Sequence, residues 1–570
     1  MLIRNGKTAV FSTAAIMAAA LISITACGSC ERSKVDVTRL VARDTPNAAI
    51  VPSPAATMDR IGAIMKRFTG TKLVDLFKSD SDELTKKIGF NLFEKSGWAK
   101  AGLDVNKGMA LALEPLKKGP NPEDALLVII GVKDEVQFDR SLKRLAKEFE
   151  RAEIYRDQTY RQVKITTILR QMPSGEIPLF VYTFYEGYVV LADVSNGADG
   201  IKRMVDRKLA DGLDTSALYQ KLSGKVKSGS DIRLFINEDT PIDRIPVAGT
   251  LKEMVIVKAL QAHFKGAIGA LSFDGGAQAE IFLALSEVAG KAFSQYLGTG
   301  AGTKLDANMI KAVGDDALIV TKLSLDLNRI FTKLKAEAPV ETAHITATLF
   351  GKIAQFAGPG ADEKAVNELA GDFVMAIYPG QLDLASMMAR GRTGSIQGLF
   401  YTEYIATVSN PESAGKLSLA VESGMKKQGY EVIDRQLNAL PFKNAKNKDQ
   451  ARDISWAFRD RLLFVGDGGQ GRFERELALS QGVDGSIYQS MPSSIRDTMI
   501  SRDSQMLYIN FPGICKTLKG MIKSDQTGSS SMQNSLLDGV ISILSKFREG
   551  TAVIKAMPDG LRAEAAVNLN

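Results

Sequence analysis

Few residues in this 570-residue chain have the type and spacing to do chemistry. Residues 466–471, GDGGQG, satisfy G-x-G-x-x-G between an apolar strand and a helix, a setting in which glycines let phosphates approach a helix N-terminus. The preceding strand belongs to a hairpin and not to a parallel crossover, so the stretch reads as a strand-to-helix turn capped by Asp467. The run at 298–304, GTGAGTK, lacks the spacing of a phosphate loop. His263 and His344 each fall in or beside an apolar helical pattern. With no HExxH or serine elbow in the chain, they read as helix histidines and not as metal ligands or bases. Asp and Glu total 65, yet nothing in their spacing singles out a catalytic pair. No catalytic, cofactor-binding or metal residue is therefore assigned, and the chain is expected not to be an enzyme. Of the three cysteines, Cys515 in INFPGICKTL suits a small buried apolar position, and a pairing of Cys30 with Cys515 stays open.

The remaining candidate is Cys27. Arg4 and Lys7 precede an uncharged apolar run at 9–25, which ends in small residues before the cysteine. That is the layout of an export signal. Ile24-Thr25-Ala26-Cys27 resembles the lipobox of bacterial lipoproteins. The resemblance implies cleavage before Cys27, a thioether to diacylglycerol on its sulfur, and acyl chains such as palmitate as the membrane anchor. Two or three chains suffice for stable anchoring where one does not. Gly28 stands where the resemblance puts an aspartate for inner-membrane retention, so the expected address is the outer membrane, facing the periplasm or the surface.

The elements behind these residues follow from composition and periodicity. A chain that is 45% hydrophobic and 24% charged has a globular core. The net charge of +7 falls to +5 once Arg4 and Lys7 leave with the signal; small, dispersed and with no basic cluster interleaved with aromatics, it gives no footing for nucleic acid, and none is expected as a partner. An internal duplication organises the rest. Ile50 and Val51 pair with Ile319 and Val320, and Arg60 with Arg329, at an offset of 269. MALALEP ending at Pro115 matches FVMAIYP ending at Pro379, YVVLAD ending at Asp193 matches LLFVGD ending at Asp467, and RLFIN ending at Asn237 matches MLYIN ending at Asn510. GAQAE from Gly276 matches GLRAE from Gly560.

Each copy predicts a strand, an amphipathic helix and a strand pair, followed by a helix started by Asp134 or by Asn410 and Pro411. Two or three alternating strands follow, with tight turns at Glu186-Gly187 and Arg459-Asp460. Hairpin connections imply antiparallel pairing. The expected fold is α+β, two tandem homologous domains, each a mainly antiparallel sheet with helices on one face. The expected boundaries are a signal peptide at 1–26, a lipidated tether at 27–45, repeats at 46–297 and 314–570, and a linker at 298–313. The amphipathic stretches from Leu251 and Leu536 read as sheet-covering helices, and the segments from Ser524 and Lys443 as polar surface loops.

GWAKAGLDVNKGMALALEP from Gly97 and VIIGVKDEVQFDRSL resemble the duplicated envelope lipoproteins of unknown function. The resemblance implies the fold and the address and supplies no catalytic residues. The expected function is a non-enzymatic binding or scaffolding module, anchored through Cys27 and contacting an envelope protein. A carrier of apolar ligands and a carboxylate-based hydrolase are the alternatives.

Overall fold

A computed structural model describes residues 35–71, 74, 81–82, 85–86, 89–91, 94–117, 123–240, 263–297, 304–325, 369–380, 400–446, 453–524 and 531–570. The fold is α+β with antiparallel strands throughout, and the chain divides into two compact units, Met1–Leu285 and Ser286–Asn570. The first holds β1 (Asn47–Val51), β2 (Met109–Lys117), β3 (Glu123–Gly131), β4 (Ile154–Tyr160), β5 (Val163–Met172), β6 (Gly175–Tyr185), β7 (Tyr188–Ala192), β8 (Ile232–Ile236), β9 (Phe264–Ser272) and β10 (Gly276–Leu285). The second holds β11 (Ile319–Ser324), β12 (Leu369–Pro379), β13 (Phe400–Val408), β14 (Glu431–Leu437), β15 (Leu440–Lys446), β16 (Ile454–Arg459), β17 (Leu462–Gly466), β18 (Ser504–Ile509), β19 (Phe547–Met557) and β20 (Gly560–Leu569).

Both units build the same strand order. In the first it runs β4-β5-β6-β7-β3-β2-β1-β8-β9-β10. In the second it runs β14-β15-β16-β17-β13-β12-β11-β18-β19-β20. The ladders align Pro115 with Pro379 and Glu280 with Glu564, as the sequence blocks do. They correct the first block by three residues. Asn237 N donates to the Pro46 carbonyl and Asn510 N to that of Leu318, so Asn47 matches Ile319, and Ile50 matches Lys322. An apolar strand offers few side chains to fix register, and a match of Ile-Val with Ile-Val slides easily.

Four strands, not two or three, form the meander after each long helix. The extra hairpins turn at Arg161-Gln162 and Asn438-Ala439, non-glycine pairs with positive φ that carry no Gly signal in the sequence. The Glu186-Gly187 turn is as expected; the other falls at Asp460-Arg461, one residue later, because Arg459 pairs with Leu462.

Helices cover both faces of each sheet, not one. In the second unit, Leu417, Val421 and Met425 of helix Pro411–Lys427 pack on Ala406, Val408, Trp456 and Leu463. Phe473 and Leu477 of helix Gln470–Ser480 pack on Ile405, Phe464 and Phe442, the alternate residues. In the first, helix Glu135–Glu150 joins the core of Ile130, Tyr182 and Leu191. On the opposite face, Gly200 of helix Gly197–Asp206 lies so close to β3 that a Cβ there would sit 2.4 Å from Ala125 Cβ. Strand β7 is buried at every residue, the pattern of a strand covered on both sides. The expected caps hold: Asp134 accepts from Gln137 N at 2.9 Å and Asn410 from Ser413 N at 2.9 Å.

Two expected connectors belong to the folded body. Within the tether, Val35, Val37, Leu40, Val41 and Thr45 are buried. Within the linker, Leu305, Met309, Ile310 and Val313 are core residues of the second unit, and helix Ala307–Lys311 lies among them. Helix Glu287–Leu297 also belongs to that unit, where Gly290 packs against the carbonyl of Pro558.

Candidate functional site

The densest chemistry among the described residues lies inside the second unit. Strand β13 turns every second residue toward helix Gln470–Ser480, placing Glu403 between Tyr401 and Ile405 on a face that is otherwise core. On that helix Phe473, Glu476, Leu477 and Ser480 follow helical spacing and are buried, which puts a second carboxyl on the inner stripe. Gly466, the cross-strand neighbour of Glu403, makes the room: a Cβ there would come 3.4 Å from Glu476 Oε2.

The groups are held by a chain of contacts. Tyr378 Oη donates to Glu403 Oε2 at 2.8 Å and accepts from Gly314 N at 3.1 Å. The Arg472 guanidinium stacks on the Tyr378 ring, 3.6 Å from its centroid. It donates to Glu476 Oε1 at 3.0 Å and to both oxygens of Asp316 at 2.5 and 2.9 Å. Arg475 stands at the rim, 2.9 Å from Asp315. Glu403 Oε1 is buried without a hydrogen-bond partner.

Three carboxyl groups thus face one enclosed guanidinium. Burial, reinforced by the charge of Glu476, holds the Glu403 carboxyl well above the usual range. Burial also pushes Glu476 up to about 7, against the pull of Arg472. Asp316 goes the other way: although burial opposes it, the hydrogen bonds and charge of Arg472 hold it below its ordinary value. The cluster therefore retains protons that exposed carboxylates have lost at neutral pH.

Among its described residues, the first unit has no such pair. Along one ladder row the second unit places Ala376, Glu403, Gly466, Ser455 and Asn444. The matching row of the first is Ala112, Leu127, Ala192, Val181 and Thr167. One of its buried acids, Glu114, sits at the Tyr378 position and is gripped by Arg207 at 2.6 and 2.8 Å. The same asymmetry recurs at Lys322, which replaces Ile50. Its ammonium donates to the carbonyls of Ser501 and Ser504, and burial lowers its pKa to about 8.

The residues singled out by sequence do not converge here. Cys27, Cys30, His344 and residues 251–262 lie outside the described residues, and Phe264, the end of the stretch from Leu251, opens β9 and not a helix. His263 immediately precedes β9. Cys515 is a free, buried thiol, as expected of a small core residue. Asp467 does not cap its helix: it accepts from Thr402 N, as Asp193 accepts from Leu126 N, and Gly469 occupies the N-cap. With that carboxylate committed to its own sheet and the preceding strand paired antiparallel, GDGGQG is a turn between β17 and the helix. Lys443 begins no loop but lies in β15, and Ser531 opens helix Ser531–Leu544 inside the second expected polar loop. Glu403 and Glu476 went unmarked because any one of 65 acids can be exposed. Their signal was a carboxylate in register with an apolar alternation, Tyr401-x-Glu403-x-Ile405, and on a helical stripe. No protein-family model, curated protein or solved structure matches the chain.

Proposed function

We propose that the protein is a lipid-anchored cell-envelope component, held at the outer membrane by acyl chains on Cys27, that acts as a non-enzymatic binding or scaffolding module. Its two units are read as tandem copies of one α+β domain, a reading supported by their identical strand order and by four sequence blocks that fall in register. The observation that carries the non-enzymatic reading is the enclosure of the charge cluster. Glu403 is 1% exposed and Glu476 2%, and their hydrogen-bonded oxygens face groups of their own chain. A catalytic acid or base must come within hydrogen-bond reach of a substrate. This favours a structural role for the pair over a hydrolytic one.

The test is crosslinking in intact envelopes followed by affinity capture, comparing wild type with Cys27→Ala. A discrete protein adduct that is lost when Cys27 is replaced is expected. Recovery of a bound lipid or other apolar ligand without a protein partner would instead support the carrier reading. A hydrolytic turnover abolished by Glu403→Gln would contradict the proposal outright.

A further inference from the structure

The start of the described chain limits which part of the first unit can meet a membrane. Val35 is buried, and its carbonyl accepts from Tyr188 Oη at 2.9 Å. Val37 follows into the fold, so close to Gly108 that a Cβ there would come 2.7 Å from Val37 Cγ1. Tyr188 opens β7 directly after the Glu186-Gly187 turn and pairs with Gly131, the last residue of β3. Lys107 closes this end of the sheet, donating to the carbonyls of Gly187 at 2.9 Å and Val132 at 3.3 Å. Residue 35 therefore leaves the fold at the end where β3 finishes and β6 turns into β7.

From Cys27 to Val35 the chain has eight steps, which reach at most about 28 Å when fully extended. Strand β3 alone, Glu123–Gly131, runs nine residues, about 30 Å. An inverted placement would need this leash drawn out to nearly its full reach, because a relaxed eight-residue segment spans only about 16 Å and would leave the far end driven into the headgroups. We propose that the sheet end carrying Glu186, Gly187 and Lys133 faces the lipid surface to which Cys27 is attached, with the Glu123 end turned away. The inference rests on the acylation of Cys27 proposed above and adds to it an orientation.

The full-length lipidated protein, carrying Cys30→Ser and Cys515→Ala, is reconstituted into vesicles of phosphatidylethanolamine and phosphatidylglycerol with a headgroup-linked energy acceptor. A donor dye is placed at Glu186→Cys or at Glu123→Cys, both exposed. Transfer at position 186 should exceed that at 123 by at least about twofold, since the labels differ in height by up to ~27 Å. A flexible insertion of about forty Gly and Ser residues after Lys34 should erase the difference. Equal or stronger transfer from 123 in protein whose intact mass shows the acyl chains overturns the orientation and leaves the anchor standing. An intact mass without acyl chains on Cys27 overturns the anchor and the orientation together.

Discussion

Glu403→Leu should flatten the pH dependence of the second unit's stability and make that unit more stable on the alkaline side. The chain has two tryptophans, Trp98 in the first unit and Trp456 in the second, both fully buried. In a Trp98→Phe background, urea unfolding followed by Trp456 fluorescence therefore reads the second unit alone. Both Glu403 and Glu476 have folded pKa values raised above the ordinary carboxylate range, so the folded state binds protons that the unfolded chain has released. Their favourable contribution is complete below about pH 4.5 and is lost as pH rises through the folded values, past 7. For Glu476 alone, a rise to about 7 amounts to roughly 3 kcal/mol.

On the acid side the limit is Asp316, whose lowered pKa makes its contribution vanish as pH falls below the ordinary aspartate range. Leucine occupies the matching ladder position in the first unit, Leu127, so the replacement has a working precedent in the same fold. It removes a buried carboxyl whose proton the folded state retains, while the burial that lifts Glu476 remains, so the slope should fall without vanishing. A variant whose stability still falls between pH 5 and 9 as steeply as wild type would show that the pair does not set the slope.

Arg472→Ala is expected to cost the second unit about 3–5 kcal/mol at pH 7, the range for breaking a buried ion pair by removing one partner. Asp316 would lose both hydrogen bonds from Arg472 and keep only Arg475 at 3.2 Å among the described residues, Glu476 would lose the guanidinium bonded to it, and Tyr378 the group stacked on its ring. The cost should shrink toward pH 5, where Glu476 is protonated whether or not the arginine is present. Arg472→Lys should recover only part of the loss, since an ammonium cannot serve two carboxylates in a fork and stack at once. The same Trp456 unfolding measurement checks both variants; a loss below about 1 kcal/mol for Arg472→Ala would mean that the cluster is held by packing alone.

How much of this could be read from residues alone varied with the kind of signal. Strands and antiparallel pairing were legible because turn residues such as Glu186-Gly187 punctuate the runs, and the caps at Asp134 and Asn410 were legible from residue type. The hairpins at Arg161-Gln162 and Asn438-Ala439 were not, since Arg161, Gln162 and Ala439 are types that rarely adopt the left-handed conformation and Asn438 lacks the following glycine of a tight hairpin pair. Helices on both faces were missed although YVVLA, buried throughout, and ISWAFR already lack the alternation of a one-sided sheet. The glycine-rich run at 298–303 suggested a linker that swept in 304–313, whose Met309, Ile310 and Val313 follow a core pattern. The candidate site was the least legible part. A buried carboxylate is distinguished from an exposed one by what lies across the sheet, here Gly466 and Arg472, and neither is near Glu403 in the sequence.

Membrane attachment rests on Cys27, and the most direct measurement is intact and N-terminal peptide mass spectrometry of the protein expressed with its signal in a bacterial host. A mature chain beginning at Cys27 and carrying the mass of diacylglycerol, with or without a further acyl group, is the expected result, and Cys27→Ala should abolish both the cleavage and the added mass. A mature wild-type chain that retains residues 1–26, or begins at Cys27 with an unmodified thiol, would contradict the anchored reading.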